Sequence, residues 1–263
     1  MVTDYKNWVP KGMVLSFFAI FAAFLLLFFV FGCTTVLKAG TVKTVLFWVF
    51  LALALVFCVV AFWILWLYRV FSYKGKRQLS RQVVEAVAKY VSIPDGGIAL
   101  DVGCGSGALT IACAKRNPKA SVVGVDRWGK EYASYNKALC ERNAQAEGVS
   151  NVSFRQGNAV KLDFADETFD AVTSNYVYHN VPVKDRQALL LETLRTLKKG
   201  GVFALHDIMT VQRYGDMEAF AASLRRSGYH DVRVINITGG IFRSDLEATL
   251  LDLGGSRLLV GRK

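Results

Sequence analysis

Two long apolar runs open the chain. No charged residue falls between Gly12 and Leu37, and none falls between Thr44 and Tyr68. Each run exceeds the about 20 apolar residues that carry a helix across a bilayer. The pattern therefore predicts two transmembrane helices, over about 12–37 and 44–68, joined by the Lys38–Lys43 loop. From about residue 75 the pattern changes to short apolar strands alternating with amphipathic helices. Strands are expected at 98–102, 121–125, 152–155, 169–175, 202–206, 231–238 and 257–261. Helices are expected at 82–90, 108–115, 130–147, 184–197 and 216–227. Such alternation implies an α/β fold with a doubly wound, mostly parallel sheet of seven strands. Residues 1–74 then form a transmembrane α-helical hairpin, and residues 75–263 form a separate globular domain.

Charge orients the hairpin. The chain is 53% hydrophobic and carries a formal net charge of +11. Residues 1–81 hold nine Lys/Arg and one Asp (+8), against 23 Lys/Arg and 20 Asp/Glu (+3) in residues 82–263. Arg69, Lys74, Lys76, Arg77 and Arg81 follow the second run directly, and Lys6 and Lys11 precede the first. The excess marks the side of both termini as cytoplasmic. Trp8, Trp63, Trp66 and Tyr68 stand where an interfacial aromatic belt is expected. A basic collar of this kind is drawn to anionic headgroups of the lipid bilayer. The nearly balanced globular part gives no footprint for nucleic acid. A cleaved signal peptide has an apolar core of about 7–15 residues, shorter than the first run. Of the five cysteines, Cys33 and Cys58 lie in the runs, and Cys104, Cys113 and Cys140 lie in the domain. No Cys/His spacing suggests a metal site.

The chemistry is concentrated at residues 98–107, Ile-Ala-Leu-Asp-Val-Gly-Cys-Gly-Ser-Gly. A strand running into a glycine loop and then a helix lets backbone approach a ligand that a Cβ would push away. The helix N-terminus adds free N–H groups to the same crevice. Taken alone, Gly103, Gly105 and Ala108 also fit the dinucleotide pattern G-x-G-x-x-A, which would make the chain an NAD-type oxidoreductase. The surroundings resemble another family. Asp101 gives D-x-G-x-G-x-G, the second strand ends in Asp126, and the third leads to Gly157-Asn158-Ala159. The turn Leu197-Lys198-Lys199-Gly200-Gly201 enters the fifth strand. In this order over roughly 75–210, these elements resemble the class I S-adenosylmethionine (SAM) methyltransferases.

That resemblance implies SAM as cofactor and an antiparallel hairpin for the last two strands. It places Asp101, Gly103, Cys104, Gly105, Gly107, Asp126, Arg127, Asn158, Ala159 and Asn175 at the cofactor. Asp126 would accept from the ribose hydroxyls. Asn158 stands where the family usually has an Asp receiving the adenine amino group, and Lys199 stands where it usually has a proline. SAM is a cytosolic compound, which agrees with the charge-derived orientation and with an inner cell-membrane location.

The acceptor side is expected after the fourth and fifth strands, at the carboxyl ends of the sheet. His179 reads as a general base for a phenol, enol or thiol, or as a satisfied loop histidine. Tyr178 reads as a contact to the acceptor or as packing. Asp207 steadies an acceptor or caps the following segment. Asn180-Val181-Pro182 is similar to an element of the quinone C-methyltransferase branch. With the hairpin, this points to a small lipophilic acceptor. The competing readings are the NAD-type enzyme and a non-catalytic SAM-binding membrane scaffold.

Overall fold

Both apolar runs fold as helices in the computed structural model, which describes residues 2–129 and 134–263. Helix α1 spans Lys11–Leu27 and continues as a π-helical turn over Phe28–Cys33, and α2 spans Thr41–Phe71. Both are long and apolar enough to cross a membrane, at 23 and 31 residues. They pack through aromatic pairs such as Phe24–Phe57, with ring centroids 5.2 Å apart. Other large apolar side chains on them, including Trp48, Val59 and Phe62, are exposed. The first helix ends at Cys33 rather than near Leu37. Thr34 turns to an extended backbone and donates its hydroxyl back to the Val30 carbonyl, 2.5 Å away. This local bond competes with continuing the helix.

The chain separates into two compact units, residues 7–80 and residues 81–263 together with residues 2–6. The second unit is the α/β domain. Helix α3 (Leu79–Ala88) buries Val83, Val84 and Val87, as its apolar face predicts. Then follow β1 (Ile98–Val102), α4 (Ala108–Arg116), β2 (Ser121–Asp126), α5 (Lys137–Ala146), β3 (Val152–Gln156), β4 (Phe169–Asn175), α6 (Arg186–Arg195) and β5 (Leu197–Ile208). The chain closes with α7 (Val211–Tyr214), α8 (Met217–Arg226), β6 (His230–Asn236), the short α9 (Thr238–Ile241) and α10 (Asp245–Leu250), and β7 (Ser256–Arg262). The expected long helix over 130–147 is observed from Lys137, where Asn136 caps it by accepting from the Leu139 N–H; residues 130–133 of that expectation lie outside the described residues.

The sheet has seven strands in the order β3-β2-β1-β4-β5-β7-β6. The pairs β1–β2, β1–β4, β2–β3 and β4–β5 are parallel, and β7 runs antiparallel to both β5 and β6. Alternating residues fill two cores. Leu100, Val102, Val172, Phe203 and Leu205 pack on the side of α6 and α8, while Ala99, Val122, Ala171 and Ala204 face α3 and α4. Strand order reverses between β1 and β4, so the crevice at their carboxyl ends is where such sheets take ligands. Strand β5 starts at Leu197, earlier than its apolar run indicates. The Gly200 turn (φ 78°) is absorbed as a register shift between Phe169 and Ala171, and Lys198 Nζ sits 3.0 Å from both Asp170 carboxylate oxygens.

Candidate functional site

The glycine loop leaves β1 and turns over the end of β2. Gly103 and Cys104 donate their N–H groups to the Val125 carbonyl at 2.7 and 3.0 Å. Gly103 has φ 75°, and a Cβ built on it would lie 2.2 Å from Val177. A side chain is therefore excluded there by conformation and by space. Gly105 (φ 55°) differs, because a Cβ there would meet nothing within 4 Å. The loop is thus packed from below at Gly103 and open outward at Gly105, beside the first turn of α4. A bare, open backbone beside a helix N-terminus has the form of a ligand cradle.

Asp101 lies beneath this cradle and is buried, and its carboxylate accepts the Thr110 hydroxyl at 2.6 Å. Burial pushes its pKa up to about 7, with the nearby Asp126 adding to the rise and the Thr110 bond opposing it. Asp101 thus supports the loop and α4 from the interior. Burial also holds the Cys104 thiol well above its usual value, which makes it a small packing group.

Asp126 ends β2 at the rim. One carboxylate oxygen takes the Gly105 N–H at 2.8 Å, and the other takes the Trp128 N–H at 2.8 Å. Each oxygen keeps lone-pair capacity for a further donor, as two ribose hydroxyls require. The Trp128 indole N–H bonds the Gly105 carbonyl at 3.0 Å, laying an aromatic ring beside the loop. Arg127 is exposed, and its carbonyl accepts from the Gln156 amide at 3.1 Å. Asn158 is exposed at the end of β3, where its side-chain oxygen accepts the Val160 N–H at 3.0 Å; Ala159 packs against the core. The open cradle, the acidic residue at the rim of β2 and the Asn carbonyl at the end of β3 fit an adenosine-bearing cofactor.

The ends of β4 and β5 form a second polar cluster. The His179 ring Nδ1 and backbone N–H lie 2.5 and 3.0 Å from Asp207 oxygens. Asp207 is buried and also receives the Ile208 N–H at 2.7 Å and the Tyr214 hydroxyl at 2.9 Å. Burial would raise its carboxyl pKa, but these bonds outweigh burial and hold it below the ordinary value. An ionised Asp at Nδ1 fixes the imidazole orientation and leaves Nε2 as the ring nitrogen not engaged by Asp207. The side chain of His179 is 15% exposed, just past the carboxyl end of β4. Asp207 touches His179, Tyr214 and its own backbone neighbour, so it positions the histidine and has no path to an acceptor.

Tyr178 departs from its expected place. It is fully buried in the core, with its hydroxyl 2.7 Å from Thr193 Oγ1, because the 3₁₀ turn Tyr178–Asn180 swings it inward. It cannot touch an acceptor from there. Asn175 Oδ1 lies 2.6 Å from the Nδ1 of His206, which is wholly buried. Burial drives the His206 pKa down to about 3, so that ring is neutral. Sequence patterns gave no signal for Trp128, Tyr214, Asn143 or Tyr5, whose parts depend on partners far along the chain. Among the described residues, no cluster of His, Cys, Asp and Glu has the makings of a metal site.

Residues 100–205 match a family described as "Methyltransferase domain". A demethylmenaquinone methyltransferase of Lactobacillus johnsonii is 37% identical over 114 residues, covering 43% of this chain and 44% of that protein. An arsenite methyltransferase of Aquipseudomonas alcaligenes is 36% identical over 126 residues, covering 46% and 36% respectively. The chain spans about half the length, or less, of the curated relatives it matches. The crystal structure of geranyl diphosphate C-methyltransferase from Streptomyces coelicolor A3(2), with S-adenosyl-L-homocysteine bound, has a TM-score of 0.55 at 14% identity. That likeness covers 74% of this chain and 83% of that one, and it is a likeness of fold.

Proposed function

We propose that this chain, which carries a class I SAM-dependent methyltransferase domain, moves the methyl group of SAM to a small lipophilic acceptor at a membrane. When bound, SAM supplies a methyl group already activated by its sulfonium. The protein's task is to hold the acceptor in line and keep water out. Gly105 and the first turn of α4 would cradle the cofactor, Asp126 would hold the ribose, and Asn158 would face the adenine. Across the crevice, His179 would take the acceptor's proton at Nε2 while Asp207 steadies the ring.

The observation that carries this reading is the pairing of two clusters at the carboxyl ends of one sheet. One is a bare glycine cradle with an acidic rim at β1 and β2. The other is a mostly buried histidine held by a buried aspartate at the ends of β4 and β5. The two long apolar helices support the membrane location, and the domain would lie on the cytoplasmic side. Relatives with quinone-type names support a quinone or similar acceptor. The match to an arsenite methyltransferase is why the acceptor needs a direct assay.

The assay is to incubate membranes containing the full chain with methyl-labelled SAM and extract them with organic solvent. The reading expects label in one extractable small molecule, and much less from membranes carrying His179→Ala. Tight SAM binding with no transferred label in any fraction would instead describe a binding protein and overturn the enzymatic reading.

A further inference from the structure

Residues 2–6 precede the first apolar helix, yet they belong to the α/β unit. One buried amide is central to how they are fastened there. Asn143 on α5 is 1% exposed, and its Oδ1 accepts the Asp4 N–H at 2.8 Å. Its Nδ2 donates to the Asp4 carbonyl at 3.1 Å and to the Ser106 carbonyl at 2.9 Å. The same side chain therefore ties the N-terminal strap to the glycine loop. The Ser106 hydroxyl closes the link by donating to the Tyr5 carbonyl at 2.9 Å. Beyond it, the Tyr5 hydroxyl donates to Glu147 at 3.2 Å, and Lys115 holds that carboxylate at 2.6 Å. The Tyr5 ring packs on a buried cluster that includes Cys104 and Cys140, with Trp128 alongside.

A short segment with no helix or strand of its own holds one place only where something ties it down. Here each tie lands on the loop that forms the cradle or on the helix behind it. Losing the strap would strip Asn143 of two of its three partners while leaving it buried. A buried amide without partners is costly, so it would rearrange and release Ser106. We propose that the strap is a structural member of the cofactor site and that Asn143 is its positioning residue. In this account Asn143 sets the Ser106–Gly107 backbone for SAM by holding the loop against Asp4 and Tyr5. The proposal rests on the glycine loop being the SAM cradle.

By linkage, a strap that favours the cofactor must itself be favoured by it. The test uses the full chain in detergent. Hydrogen exchange at residues 2–6 is followed with and without saturating S-adenosyl-L-homocysteine, and the same ligand is titrated calorimetrically into wild type, Asn143→Ala and Asp4→Pro. Asp4→Pro removes the N–H given to Asn143 together with the exposed carboxylate that pairs with Lys6, and Asp4→Ala, which removes the carboxylate and keeps the N–H, is the control for that second change. The expected results are slower exchange in the strap with ligand and an affinity loss of about fivefold or more in Asp4→Pro. In turnover, KM for SAM should rise with kcat nearly unchanged. Unchanged strap exchange together with wild-type affinity in Asp4→Pro would overturn the proposal while the cofactor reading stands. Failure of the wild type to bind the ligand at all would overturn both.

Discussion

His179 binds Asp207 twice, through its ring Nδ1 at 2.5 Å and through its own backbone N–H at 3.0 Å. The double contact fixes both the ring and the turn that carries it, and a buried carboxylate is a poor place to lose either. If His179 removes the acceptor's proton, His179→Ala lowers kcat by about 10²–10⁴-fold, the usual worth of a positioned acid–base group. Affinity for SAM stays within about twofold. Steady-state rates and calorimetric titration of the same preparations check both halves. An undiminished rate would mean that the acceptor reacts without this base.

Asp101 imposes a pH dependence on stability. Its folded-state value is pushed up to about 7 from an ordinary 3.8. Between those two values the unfolded chain has lost a proton that the folded chain still holds, so stability falls as pH rises from about 4 to about 7 and then levels. Each tenfold change in proton affinity is about 1.4 kcal/mol, so the rise from 3.8 to about 7 amounts to a total on the order of 4 kcal/mol. Asp101→Asn keeps an acceptor for Thr110 and removes the titration. Thermal unfolding at pH 5 and pH 8 should show a larger loss in wild type than in the variant. Parallel curves would contradict the buried, proton-holding carboxyl.

Two glycines of one loop should respond differently to alanine. At Gly103 the new Cβ collides with Val177 and sits at φ 75°, whereas at Gly105 it meets open space at φ 55°. Left-handed backbone alone costs about 1–2 kcal/mol for a non-glycine residue. The collision adds roughly 1–3 kcal/mol of overpacking. Gly103→Ala should therefore unfold at clearly lower denaturant than Gly105→Ala. Equal midpoints would mean that Val177 does not close the loop from below.

Tyr178 is a control for the acceptor side. Tyr178→Phe removes the hydroxyl that meets Thr193 and should cost about 1 kcal/mol of stability. Its kcat and KM should match wild type, because the ring points into the core. A large fall in rate at normal stability would return Tyr178 to the crevice.

The parts of the fold legible in the chain are those with local causes. Gly103, Gly105 and Gly107 mark the loop because only glycine takes positive φ without strain, and the apolar strands announce themselves by length and flanking turns. Asp185 and Asp216 cap α6 and α8 as short polar residues before apolar periodicity do. The direction of Tyr178 was not legible, because a 3₁₀ turn three residues long has no periodicity to show which face is buried. The strap was hidden for another reason. Asp4 and Asn143 are 139 positions apart, and a single long-range amide leaves no mark on the local pattern. The early end of α1 came from the bond between the Thr34 hydroxyl and the Val30 carbonyl, which a run of uncharged residues conceals.

The most direct measurement is a calorimetric titration of the detergent-solubilised full chain with SAM and, separately, with NAD. The account predicts saturable SAM binding, no NAD binding, loss of SAM binding in Gly105→Arg, and weakening by about 1.5–3 kcal/mol in Asp126→Ala through lost charged hydrogen bonds. NAD binding in place of SAM, or SAM affinity indifferent to both substitutions, would contradict it.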